Sequence, residues 1–274
     1  QRRIADFLDA ETEHIELLSR ARERTVQLLR ERREAALVAQ VTGQDRAGER
    51  YKSSLPWVDT LPESWKEVRL GLLAKMGSGH TPSRSRPELW ENCTIPWITT
   101  GEVSQVRDDR RETIYETREC ISELGLANSA AELHPAGTVV LCRTASAGYS
   151  AVMGTDMATS QDFVTWTCGP RLDPYYLLWC LRAMRQDLLG RLAMGSTHKT
   201  IYVPDLQMLR IPLPEVSEQR EIVERIRKQN ADIDAAIDSI NRQIELLKER
   251  RRSLITAAVT GQIDVTTARG ADLS

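Results

Sequence analysis

A stretch at the start of the chain returns near its end. Residues 1–44 align without a gap over residues 219–262, at a constant offset that carries Gln1 onto Gln219. About a third of the positions match. The densest matches pair Leu28-Leu29 with Leu246-Leu247, Glu31-Arg32-Arg33 with Glu249-Arg250-Arg251, and Val41-Thr42-Gly43-Gln44 with Val259-Thr260-Gly261-Gln262. Chance seldom sustains such agreement over so long a stretch, so both copies should adopt one structure.

That structure reads as a long helix. In the second copy Ile226, Ile233, Ile240, Leu247 and Leu254 recur every seventh residue, with Val223, Ile237 and Ile244 at the complementary position. This is the a/d seam of a coiled coil. The first copy carries it more weakly through Ala5, Leu8, Ile15, Val26, Leu29 and Ala36, interrupted by Thr12, Ser19 and Arg22. Each copy ends at a glycine (Gly43, Gly261), which suits the left-handed position that stops a helix. At 1.5 Å per residue each helix runs roughly 60 Å. The remaining faces are so charged that only the seam can be buried, which favours the two helices packing mainly on each other. An antiparallel pair is the simplest geometry, since one helix enters the middle segment and the other leaves it.

Between the helices the character changes. Residues 45–60 are polar and aperiodic at their start (Asp45–Pro56) and read as a linker. Short mixed elements follow. Candidate strands are Glu67–Leu72, Thr138–Cys142, Ala151–Met153 and Phe163–Thr167; candidate helices are Ile121–Leu126, Pro174–Leu192 and Pro204–Leu209. Asp173 as N-cap and Pro174 at the first helical position give the longest of these good start chemistry. The expected fold class is therefore α+β: one globular mixed domain at 61–216, flanked by long helices at 1–44 and 217–262 in an antiparallel coiled coil, with a tail at 263–274. Five widely spaced cysteines form no CxxC pair and read as reduced and packed. No apolar run approaches the roughly 18–20 residues of a membrane span, and no signal segment opens the chain, so a cytoplasmic location is expected.

Residue types that suit nucleic acid gather in four loops of the middle segment. The first, Gly77–Arg86, offers His80, Thr81, Ser83, Arg84 and Arg86. The second, Trp97–Gly101, offers Thr99 and Thr100 and leads to Arg107, Arg110 and Arg111. The third holds Arg143, Thr144, Ser146 and Tyr149, and the fourth Ser196, Thr197, His198 and Lys199. Such side chains set register on phosphates and read base edges. Trp97 and Tyr149 are expected to be packed rather than stacked on bases, and Asp108 and Asp109 to be surface partners of the neighbouring arginines. The net charge of −2 runs against a self-sufficient DNA binder and leaves phosphate neutralisation to partners.

Catalytic tools are missing from the sequence. There is no GxxxxGK[ST], GxSxG, HExxH or CxxC run. The four histidines are scattered, so no metal site is expected, and no lysine has an acidic residue two positions before it, as a metal-dependent nuclease would want. Asp173-Pro174-Tyr175-Tyr176 approaches a methyltransferase motif but lacks its second proline.

The order of several fragments resembles the specificity subunits of type I restriction–modification enzymes. They are Leu61-Pro62-Glu63-Ser64-Trp65 before Val68, Leu70 and Gly71; Gly79-His80-Thr81-Pro82; Ile95-Pro96-Trp97-Ile98; and Pro135-Ala136-Gly137-Thr138-Val139. Gln161 before Phe163, Gly195-Ser196-Thr197, Ile211-Pro212-Leu213-Pro214, Glu218-Gln219-Arg220 and the Val-Thr-Gly helix end complete the series. The resemblance implies that 61–216 is a target recognition domain reading one half of a split site in double-stranded DNA, and that the helices space it and dock modification subunits. It implies a non-catalytic chain binding no cofactor, with S-adenosylmethionine on the modification subunit and a restriction/motor subunit as a further partner. Such subunits normally hold two recognition domains. This chain has one, so it is expected to be the second half of a longer subunit or a half-length form that homodimerises. A coiled-coil scaffold whose head binds protein remains the alternative. DNA reading predicts that Arg84, Arg86, Arg143 and Lys199 converge on one face; the scaffold predicts scatter.

Overall fold

A computed structural model describes residues 2–194 and 199–263. Two long helices bound the chain, α1 (Arg2–Val41) and, at the other end, α6 (Val216–Val259). The chain divides into one unit made of residues 1–35 with those from 228 onward, and a second at 36–227.

The first unit is an antiparallel coiled coil. Ile15, Val26, Ile233, Ile237 and Ile244 are buried in its seam, and Leu8, Leu29, Ile240, Leu247 and Leu254 are half-buried. Ala5 is exposed. Arg33 pairs with Asp234 at 3.0 Å and Arg251 with Glu16 at 3.1 Å. The step from Glu16 up to Arg33 is matched by an equal step from Arg251 back to Asp234, which fixes the opposed direction. The seam does not continue through Ile226 as the heptad period predicts. Ile222, Val223 and Ile226 instead join the main core of the second unit.

In the second unit the strands in chain order are β1 (Arg50–Lys52), β2 (Thr60–Pro62), β3 (Lys66–Arg69), β4 (Ala74–Ser78), β5 (Ile95–Ile98), β6 (Thr113–Ile114), β7 (Glu119–Ile121), β8 (Val139–Cys142), β9 (Ser150–Met153), β10 (Ala158–Thr159), β11 (Phe163–Cys168), β12 (Ala193–Met194), β13 (Thr200–Ile201) and β14 (Arg210–Leu213). The main sheet has the order β4-β11-β8-β9-β6, antiparallel except where β6 runs parallel to β9. A smaller sheet, β10-β5-β7, lies beside it, with β10 parallel to β5. Helix α2 (Glu123–Ala127) begins where the Ser122 side chain accepts from Gly125 N. Helix α3 (Pro174–Ala183) packs on β8 and β9. Its start follows the sequence: the Asp173 carboxylate accepts from Tyr175 N and Tyr176 N, ahead of Pro174.

The core gathers Trp65, Leu141, Val164, Trp166, Tyr176 and Leu177, each almost solvent-free. Burying one such side chain stabilises the fold by about 1.5–3 kcal/mol. Gln219, also fully buried, is satisfied at both ends: its Nε2 donates to Arg171 O and Pro214 O, and its Oε1 accepts from Asp173 N.

Three expectations are corrected. Residues 45–60 are not a bare linker, because β1 pairs with β2 and the Arg50 guanidinium donates to Gly43 O, Thr42 O and Thr60 O. The strand expected to Leu72 stops at Arg69 and tightens into a 3-10 turn. The helix expected through Leu192 breaks at Met184 into α4 (Arg185–Asp187) and a π-turn. Arg182 and Arg185 flank that break and both reach Asp109, so tertiary charge pairing overrides helical periodicity. The short helix α5 (Val203–Gln207) lies where one was expected. Both long helices end in the same cap: Gln44 N bonds to Ala39 O and Gln262 N to Ala257 O, with Gly43 and Gly261 at φ +62° and +75°.

Candidate nucleic-acid interface

The turn Ser160-Gln161-Asp162, between β10 and β11, is where the polar loops meet. From the first loop, the Thr81 hydroxyl donates to Gln161 Oε1 at 2.6 Å, and His80 N donates to Thr159 O at 3.0 Å. That approach requires Gly79, since a Cβ there would sit 2.0 Å from Thr159 O. From the second loop, Ile98 O, just before Thr99, accepts from Ser160 N at 2.9 Å. From the third, Arg143 N donates to Asp162 O at 2.8 Å, Arg143 Nε donates to Gln161 O at 3.0 Å, and the Thr144 hydroxyl donates to the Asp162 carboxylate. Ile201 N donates to Arg143 O at 2.8 Å, bringing in the strand next to Lys199 and Thr200. Three segments distant in sequence are thus tied to these three residues, and β13 joins them through Arg143 O.

The cations expected to act together divide. Arg143 belongs to this hub, and exposed Lys199 lies two residues from Ile201; neither has a carboxylate partner among the described residues. Arg84 is engaged elsewhere, stacked over the Trp90 ring at 3.8 Å and paired with Glu119 at 2.8 Å. Arg86 pairs with Glu88 at 2.8 Å, and that bond holds the exposed Glu88 carboxyl below its ordinary range. Ser83 bonds the neighbouring Ser85 hydroxyl at 2.9 Å. Thr100 opens a 3-10 segment, Thr100–Gln105. Ser196, Thr197 and His198 lie outside the described residues.

Trp97 is packed, at 2% exposure. Tyr149 is half-buried between two guanidiniums, Arg185 at 4.7 Å and Arg107 at 5.9 Å from its ring centroid. Asp108 neighbours Arg110 at 4.0 Å, while Asp109 also reaches arginines distant in sequence. It takes a bidentate pair from Arg185 at 2.7 Å and a contact from buried Arg182 at 3.3 Å. Arg182 further donates to Asp109 O and Arg111 O, so the arginine-bearing stretch after the second loop is held by charge from α3 and α4. Ser146 is half-buried in the third loop, where Ala145 adopts φ +54°. Beneath it, burial pushes the Cys142 thiol up to about 12.

Sequence reasoning missed Ser160 and Asp162, and met Gln161 only as a fragment of the resemblance. A polar triplet directly before buried Phe163 was the available signal. Among the described residues no group of three or more His, Cys, Asp and Glu side chains is placed to hold a metal, all five cysteines are free, and no helix is long and apolar enough to cross a membrane.

Residues 62–248 match the sequence family described as the type I restriction modification DNA specificity domain. The chain belongs to that family. The specificity subunit of the Escherichia coli type I restriction enzyme EcoR124I/EcoR124II is 24% identical over 221 residues, covering 79% of this chain and 53% of that protein. The MjaIX specificity subunit of Methanocaldococcus jannaschii is 26% identical over 196 residues, covering 70% and 43%. This specificity-domain chain therefore spans about half the length of the curated relatives it matches. Solved structures share its fold. One, from work on complex assembly and conformational transition of the type I R-M system, has a TM-score of 0.73 at 21% identity, covering 94% of this chain and 58% of that one. The HsdS subunit of Thermoanaerobacter tengcongensis has a TM-score of 0.59 at 21% identity, covering 96% and 59%.

Proposed function

We infer that this chain reads one half of a bipartite DNA site for a type I restriction–modification complex and carries out no chemistry itself. Its loops supply the sequence contacts, and its coiled coil acts as spacer and docking surface for modification subunits. The observation that supports this reading most is the hub at Ser160–Asp162, which ties three polar loops together within the stretch matching the specificity domain. Backbone bonds hold the loops while Arg143 and Lys199 supply donors for base edges and phosphates, and the Thr81 and Thr144 oxygens, their O–H groups already engaged, remain as acceptors for base edges.

Within this reading the modification subunit carries S-adenosylmethionine, a restriction subunit adds cleavage, and the complex works in the cytoplasm. The single recognition domain is completed by a second, either in a longer chain or in a second copy related by a two-fold axis.

The test is selection from a random duplex pool at fixed salt, with and without the modification subunit, followed by sequencing of the bound fraction. A short enriched motif, strengthened by the partner and lost on Arg143→Ala or Lys199→Ala, is the expected result. No enrichment with a functional partner present overturns the reading and leaves the protein-binding scaffold.

A further inference from the structure

We propose that a groove running between Gln105 and Arg118 is a second DNA contact, one that grips backbone phosphates rather than bases. This rests on the DNA-reading function above and adds to it a site separate from the hub at Ser160–Asp162. The groove is open, about 880 Å³, and has Arg110, Arg111 and Arg118 in its lining together with Tyr115.

Two of its arginines differ from the ion-paired ones on this domain in what holds them. Arg84, Arg86, Arg182, Arg185 and Arg227 each sit against a carboxylate. Arg111 instead donates to the neutral Gln105 Oε1 at 2.6 Å, and Arg118 to the neutral Ser104 Oγ at 2.9 Å. A guanidinium has five N–H donors, so one such bond orients the group and leaves its charge and most of its donors for a ligand. Arg110 stands by Asp108 at 4.0 Å and adds less.

The acids in the groove are accounted for. Glu112 is neutralised by Arg227 at 2.6 Å, which leaves Glu116, exposed, as the lining's opposing charge. Fully buried Glu102 ties the walls together, accepting from Arg118 N at 2.9 Å and from the Gln105 side chain. The groove is therefore built, with its donors set before any ligand arrives. Tyr115, 62% exposed, lies against Gly154 so closely that a Cβ there would come 2.3 Å from its ring.

The openness decides the ligand class. An enclosed site would suit a single small anion, whereas an open trough with spaced guanidiniums suits a strand carrying one charge per about 3.4 Å. The groove also adjoins the second loop, because Arg118 Nη1 lies 3.9 Å from where a Gly101 Cβ would stand. DNA held here would run on toward Thr99 and Thr100.

The experiment measures affinity of the full chain, alone and with the modification subunit, for a duplex carrying the selected motif and for a random duplex, across about 50–200 mM salt. The Arg111→Gln/Arg118→Gln double variant is expected to weaken both duplexes by the same factor, about tenfold or more, and to leave motif preference unchanged. The slope of log K against log salt should fall by about 2. Glu116→Gln, isosteric and exposed, should tighten both duplexes. An unchanged slope and affinity in the double variant overturns the groove, as does loss of motif preference without loss of random binding. Unchanged or weakened binding by Glu116→Gln also counts against it. A parent chain that binds neither duplex under any of these conditions overturns the DNA-reading function itself, and the groove with it.

Discussion

Arg33 donates to Asp234 at 3.0 Å, and the offset of the internal repeat carries this pair onto Arg251 and Glu16, which meet at 3.1 Å. Arg33 becomes Arg251, while Asp234 and Glu16 occupy equivalent positions in the two copies. The burial repeats too: Ile15 matches Ile233 at 3% and 7% exposure, and Val26 matches Ile244 at 6% each. The coil thus carries an approximate two-fold axis perpendicular to its length. The symmetry is imperfect, because Ile237 and Ile240 face the positions of Ser19 and Arg22 across that axis.

The two ion pairs should differ in worth. Arg33 and Asp234 are 14% and 17% exposed, whereas Arg251 and Glu16 are 45% and 47% exposed. Solvent and salt screen the outer pair. Double-mutant cycles read by denaturant unfolding should give a coupling of about 1 kcal/mol or more for Arg33 with Asp234, and about 0.5 kcal/mol or less for Arg251 with Glu16. Equal couplings would show that burial does not separate them.

Gln219 should be among the costliest polar residues to replace. In Gln219→Leu three backbone groups, at Asp173, Arg171 and Pro214, the last buried and the others partly so, lose their partner together. Each orphaned group costs about 1–3 kcal/mol, so a loss of roughly 3 kcal/mol is expected in urea unfolding. A loss below about 1 kcal/mol would mean that water reaches the site.

Gln161→Ala should separate stability from sequence reading. The substitution deletes the acceptor for Thr81 but keeps every backbone bond of the hub. Stability should fall by no more than about 1.5 kcal/mol. Discrimination between the selected motif and its single-base variants should fall in a competition assay, with random-duplex affinity retained. Intact discrimination would remove Thr81 from the reading surface.

His134 gives the fold a pH dependence of known sign. It is buried at 4% exposure against Thr165, and burial lowers its proton affinity below the ordinary histidine value. Nearby Glu132 and a bond involving Ser78 oppose that shift, and Lys75 adds to it. The unfolded chain takes up a proton near pH 6.5, the folded ring only at lower pH. Stability is therefore full above about pH 6.5 and is lost as pH falls from there through the folded value. Melting temperatures between about pH 7 and 5 should fall less in His134→Gln than in the parent. An identical pH profile would assign the dependence to other groups.

What was legible in the sequence follows the range of the forces. Ile233, Ile237 and Ile244 announced their seam because a heptad is a local pattern, and Asp173-Pro174 announced a helix start for the same reason. Ile226 keeps the period yet packs elsewhere, since a repeat reports that a face is buried but not against what. Residues 50–52 gave no strand signal, because their pairing depends on Thr60, Leu61 and Pro62 further along the chain and on the Arg50 side chain. The break at Met184 was hidden for a similar reason: no proline or glycine marks it, and Asp109 lies far away in sequence. The loops that hold the candidate site were visible by residue type. Their meeting at Ser160–Asp162 was not, because the Thr81–Gln161 bond spans eighty residues.

The bonds that gather the loops are mostly made by the main chain: His80 N to Thr159 O, Ser160 N to Ile98 O, Arg143 N to Asp162 O, Ile201 N to Arg143 O. A main-chain bond is indifferent to the side chain above it. Loop residues can therefore be exchanged while the frame beneath stays whole, so a new preference can arise by single substitutions without passing through an unfolded intermediate sequence. Gly79 is the exception, where any side chain would collide with the frame.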